Sequence, residues 1–101
     1  WEQRSFINSL DTYPWLISQS GKYIGISLGN SLYLINREKK SIKKIKTSNQ
    51  FINIYTFSYD SKKLYFWTKT FKKKIIYYQL NEYNILLNTY KVVYKEKRII
   101  H

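Results

Sequence analysis

Two stretches of the chain, forty residues apart, follow one pattern. Trp15-Leu16-Ile17-Ser18 and Tyr55-Thr56-Phe57-Ser58 each close an apolar run on a serine. A short polar stretch follows, Ser18-Gln19-Ser20-Gly21-Lys22 in one case and Ser58-Tyr59-Asp60-Ser61-Lys62 in the other, and then another apolar run begins. Ser18 and Ser58 are 40 positions apart, and Lys22 and Lys62 keep that offset. Self-similarity at this period means that one supersecondary unit occurs twice. Such a unit cannot bury its apolar face alone and must stack on a neighbour.

Within each unit the apolar runs are short and rich in Ile, Tyr, Phe and Leu, with no sustained helical period, so strands are expected. Residues 13–50 read as a first four-stranded unit. Its strands are Trp15 to Ile17, Lys22 to Leu28, Leu32 to Ile35, and a weak solvent-facing run from Ile42 to Thr47. Ile24, Ile26 and Leu28 share one face by the two-residue period. Gly21 suits the first turn and Gly29-Asn30 a tight hairpin, because these residues tolerate positive φ.

Residues 51–90 read as a second unit. Its strands are Phe51 to Phe57, Leu64 to Thr68, Ile75 to Leu80 and Ile85 to Tyr90, with a long basic loop over Lys69 to Lys74 and a turn over Asn81 to Asn84. The third strands then align at an offset of 43, Leu32-Tyr33-Leu34-Ile35 with Ile75-Ile76-Tyr77-Tyr78, the loop at Lys69 to Lys74 supplying the growth. Residues 1–12 form an irregular lead-in, and 91–101 open a further strand or a tail. The expected fold is all-β, two four-stranded antiparallel units. With Trp1 at its start and no Met, the chain reads as an excised segment.

Four-stranded units repeating near 40 residues resemble a pair of blades from a WD-repeat-type β-propeller. That family's blades often carry a Ser-Pro-Asp-Gly-Lys turn between their first two strands. Ser18, Gly21 and Lys22 match it in the first unit, and Ser58, Asp60 and Lys62 in the second. The family's Trp-Asp pair is replaced by Ile35-Asn36 and Tyr78-Gln79, so the likeness is to a divergent member and covers roughly Tyr13 to Tyr90. Ser18, Gly21, Ser58 and Asp60 are then structural turn residues. Two blades do not close a ring of the usual 4–8. The resemblance implies that further blades or partner chains complete it, and that the assembly is a non-enzymatic scaffold for protein partners.

The side-chain chemistry points the same way. The single histidine is the last residue, His101, and there is no cysteine. Glu2, Asp11, Glu38, Asp60, Glu82 and Glu96 are scattered, so no metal or cofactor site and no paired acid and base are expected. No apolar run is long enough for a transmembrane helix.

What remains is charge: 18 Lys+Arg against 6 Asp+Glu, a net +12. Codons rich in A and T yield a similar Lys, Asn, Ile and Tyr bias. Clusters at Lys43, Lys44 and Lys46, and at Phe71, Lys72, Lys73 and Lys74, are the candidate nucleic-acid-binding residues. Phosphates are held by lysine, and bases stack on an exposed ring. Two further readings therefore stand beside the scaffold. One is a basic RNA-binding module of a ribonucleoprotein assembly, the other a small basic nuclease of the toxin type.

Overall fold

The computed structural model describes residues 15–28, 30–45 and 51–100. The lead-in at 1–12, Gly29, Lys46 and His101 lie outside the described residues. Eight strands are present: β1 (Trp15–Ile17), β2 (Tyr23–Leu28), β3 (Ser31–Asn36), β4 (Ser41–Ile45), β5 (Phe51–Phe57), β6 (Lys63–Lys72), β7 (Ile75–Asn84) and β8 (Thr89–Ile99). They form two four-stranded sheets, ordered β1-β2-β3-β4 and β5-β6-β7-β8, with every neighbouring pair antiparallel. Among the described residues there is no helix.

The repeat extends to individual hydrogen bonds. In the first turn, the Ser18 amide donates to the Tyr23 carbonyl and the Gly21 amide to the Ser18 carbonyl; Ser58 with Lys63, and Ser61 with Ser58, do the same in the second. The Ser18 hydroxyl accepts from the Tyr23 amide at 3.0 Å, and the Ser58 hydroxyl from the Lys63 amide at 3.0 Å. Gly21 (φ 77°) and Ser61 (φ 60°) both take the left-handed conformation.

The turns after the third strands match as well. Asn36 Oδ1 accepts from the Lys39 amide and Asn84 Oδ1 from the Leu87 amide. Lys40 (φ 51°) and Asn88 (φ 56°) hold the left-handed position there. Asparagine suits such a turn because its side chain imitates a backbone acceptor.

The two units differ in strand length, not loop length. β2 and β3 have 6 residues each, β6 and β7 have 10 each. Both hairpins close on two residues, since Leu28 faces Ser31 and Lys72 faces Ile75. The offset therefore grows from 40 at Tyr23 and Lys63 to 48 at Asn36 and Asn84, the residues paired with them.

Several sequence expectations are corrected by this register. Lys69 to Lys72 belong to β6, leaving only Lys73 and Lys74 at the tip; no long loop exists there. Asn81 to Asn84 are strand, not turn. Ile85 to Asn88 form the turn, so an apolar run read as a fourth strand is a turn with Leu86 91% exposed. Residues 91–99 are the body of the fourth strand rather than the opening of another, since β8 pairs with β7 throughout.

The core lies between the sheets. Leu32, Leu34 and Ile45 of the first meet Ile52, Leu64, Phe66 and Tyr83 of the second. Gly25 lies at this interface, where a Cβ would sit in ordinary contact, 3.4 Å from both Leu64 Cδ2 and Phe57 Cζ, with little room for anything larger. A bulge between Ile54 and Thr56 keeps Ile52, Ile54 and Phe57 all facing inward, with Tyr55 turned out. The sheets are also clasped at one end, where the Ser20 amide donates to the Ser61 hydroxyl at 3.1 Å. Ile24, Ile26 and Leu28 do share a face, the one opposite Gly25 on β2.

Candidate functional site

The extra length of the second hairpin generates the candidate site. Its inward-facing row Leu64, Phe66 and Thr68 is buried; beyond Thr68 the buried core stops. The last four residues of β6, the first four of β7 and the paired part of β8 form an overhang past the core. Lys69, Lys72, Lys73 and Lys74 come from the hairpin, and Lys97 and Arg98 from β8, with Lys95 one residue short of the overhang. Glu96 is the only carboxylate among these residues, and it accepts from Arg98 Nε at 3.0 Å. That bond holds the guanidinium pKa above its ordinary value.

Aromatic rings hold two of these cations in place on the face turned away from the first sheet, while alternation turns Lys72 and Lys97 to the other face. Lys69 Nζ lies 5.2 Å from the Phe71 ring centre and 5.9 Å from that of Tyr78, with the Arg98 guanidinium 5.4 Å from Tyr78. Phe51 meets Phe71 edge to face, centres 5.9 Å apart. Alternation places these side chains together, because Phe51 faces Lys69, Lys69 faces Tyr78, and Ile76 faces both Phe71 and Arg98 across the ladder. Lysine stems lie along rings and keep their charge in water, which explains how a lysine-rich segment continues as strand. Phe51 and Phe71 remain 48% and 37% exposed. Trp67 continues this ringed face, with Tyr55 on one side and Tyr94 on the other.

The structure gathers four of the sequence candidates, Phe71, Lys72, Lys73 and Lys74, into this overhang and leaves the others elsewhere. Lys43 and Lys44 lie on β4, beside a cleft of about 260 Å³ that they line with Ile45, Tyr83, Asn88 and Tyr90. Tyr83 and the tip stand at opposite ends of β7, about 25–30 Å apart at the usual strand rise. Lys69, Lys95, Lys97, Arg98 and Phe51 were not among the sequence candidates. The signal that finds them is the cross-strand register, which composition does not carry.

The turn residues do structural work in both units. Asp60 Oδ1 accepts from the Ser58 hydroxyl at 2.6 Å and the Lys62 amide at 3.0 Å. Those bonds, the hydroxyl first, hold its carboxyl below the ordinary value of 3.8. On the face of the second sheet away from the first, Lys63 Nζ meets Glu82 Oε1 at 2.8 Å, which lowers the Glu82 pKa and raises that of Lys63.

Among the described residues no three His, Cys, Asp or Glu side chains stand together as metal ligands. No helix among them is long and apolar enough to cross a membrane. No family model, curated protein or solved structure matches the chain.

Proposed function

We propose that the chain is a pair of consecutive blades of a β-propeller, serving as a non-enzymatic scaffold for protein partners. The observation that carries this reading is head-to-tail stacking. The face of the first sheet that packs on the second contains Tyr23, Gly25 and Ser27 of β2. Forty residues on, Lys63, Tyr65 and Trp67 of β6 occupy the same register and face away from the first sheet. The second sheet therefore presents outward the surface that the first uses for packing. A repeat so arranged continues in one direction until it closes.

Where the first sheet has Gly25 and Ser27, the second has Tyr65 and Trp67, so the next unit packs against rings in place of small residues. Hydroxyl-radical footprinting tests this, comparing the protein isolated from its source with the 101-residue chain alone. Tyr65, Trp67 and Tyr94 are expected to be labelled in the isolated chain and protected in the native assembly. Equal labelling of these three in both samples refutes the propeller reading.

A further inference from the structure

The overhang has a property that stacking does not require. A neighbouring sheet with arms of the first sheet's length, 6 residues, reaches only from Lys63 to Thr68 of β6. Lys69 to Lys72, the tip and the end of β8 stand clear of it. We infer that this overhang holds single-stranded nucleic acid, with phosphates on the hairpin and β8 cations and a base against the Phe51–Phe71 ring pair.

Charge narrows the partner to a polyanion, since the ring face carries Lys69 and Arg98, with Lys73 and Lys74 at the tip, against the single carboxylate of Glu96, itself bonded to Arg98. The rings narrow it further. An acidic peptide engages the cations but brings no flat group for Phe51 and Phe71. A duplex keeps its base faces stacked inside and offers only phosphates. An unpaired strand supplies both, and stacking on aromatic side chains is how such strands are held without sequence preference. The surface is also organised in advance, because Lys69 and Arg98 are already positioned over rings. β6 and β8 are two inter-strand spacings apart, about 10 Å, so cations on both reach one strand laid across the overhang. The inference does not depend on further blades, and its failure leaves the footprinting result untouched.

The test uses the full chain and a fluorescently labelled oligouridylate of about 12 nucleotides, within the site sizes of such surfaces. Its anisotropy is compared with that of a duplex of equal length. Tighter binding of the single strand is expected. With about four phosphates neutralised, affinity falls about 50-fold between 50 and 200 mM salt. Lys72→Glu, Lys73→Glu and Lys74→Glu together abolish binding. The charge-matched control, Lys39→Glu with Lys43→Glu and Lys44→Glu, retains it, because those lysines sit at the far end of the structure.

Phe71→Ala weakens binding about tenfold with the salt slope unchanged, as stacking losses do. Phe71→Leu, which keeps an apolar side chain on the sheet, gives the same loss. Four results overturn the inference: duplex bound as tightly as single strand, equal loss in the two triple variants, no effect of either Phe71 variant, or tighter binding of polyglutamate or phosphatidylserine vesicles than of the oligonucleotide.

Discussion

Ser61 joins two opposing effects whose balance can be measured. Its backbone is left-handed, which costs an L-residue about 1–2 kcal/mol. Its hydroxyl accepts the Ser20 amide across the gap between the sheets. Ser61→Ala keeps the strain and removes the acceptor, stranding a half-buried donor, a loss of about 1–2 kcal/mol. Ser61→Gly removes the same acceptor but releases the strain. Glycine's greater chain entropy, about 0.5–1 kcal/mol, offsets part of that release. The glycine variant therefore sits about 0.5–1 kcal/mol below the parent and above the alanine variant.

Gly21→Ala calibrates the backbone effect alone. Its Cβ meets nothing closer than Arg37 Nη1 at 3.9 Å, so its loss of about 1 kcal/mol reports the left-handed conformation. Urea unfolding followed by tryptophan fluorescence measures all three variants. An alanine variant at least as stable as the glycine variant removes the strain from the account. An alanine variant as stable as the parent shows that the bond between the turns contributes nothing.

Other substitutions probe the core and the turns. Gly25→Ala is expected to be tolerated within about 0.5 kcal/mol, since 3.4 Å is ordinary contact, whereas Gly25→Val overpacks the sheet interface and costs about 1–3 kcal/mol in thermal or urea unfolding. Asn81 is buried, and its Nδ2 faces the Phe66 carbonyl, the Thr68 hydroxyl and the Gln79 carbonyl, which fixes the amide orientation. Asn81→Asp sets a carboxylate among those acceptors. Its stability deficit, about 3 kcal/mol or more at pH 7, shrinks on acidification as the raised carboxyl pKa is crossed and a proton restores a donor. A deficit independent of pH refutes that account. Asp60 and Glu82, whose pKa values are lowered by folding, add stability that is present above their ordinary carboxylate range and lost as pH falls through their folded values. Asp60→Asn and Glu82→Gln variants should therefore have flatter acid-unfolding profiles than the parent.

The fold was legible in the sequence because the Ser18 and Ser58 turns repeat their chemistry as well as their spacing. The second half of the second unit was misread for two physical reasons. Ile85-Leu86-Leu87 looks like a strand by composition, yet Asn84 and Asn88 fold it into a turn and leave Leu86 in water. The counterpart of Asn84 is Asn36, and matching that pair along the chain gives the true offset. Lys69 to Lys74 look like a loop by charge, yet cation–ring contacts keep Lys69 within a strand and confine the turn to two residues. The overhang follows from this register. Its cations lie up to 29 positions apart in sequence, from Lys69 to Arg98, and are brought together by the β6-β7-β8 ladder.

The long outer strand β8 carries a consequence for handling the protein. It runs for 11 residues at the border of its sheet, so one side of its backbone has no ladder partner among the described residues. Such a border is a template for joining another copy edge to edge, and lysines there act as a brake. Lys91, Lys95 and Lys97 supply that brake electrostatically, and its reach shrinks from about 10 Å at 0.1 M salt to about 3 Å at 1 M. High salt, the usual means of stripping nucleic acid from a basic protein, therefore also removes the repulsion that keeps these borders apart. Light scattering from the purified protein is therefore expected to rise with salt, and displacing nucleic acid with a soluble polyanion at low salt avoids that rise.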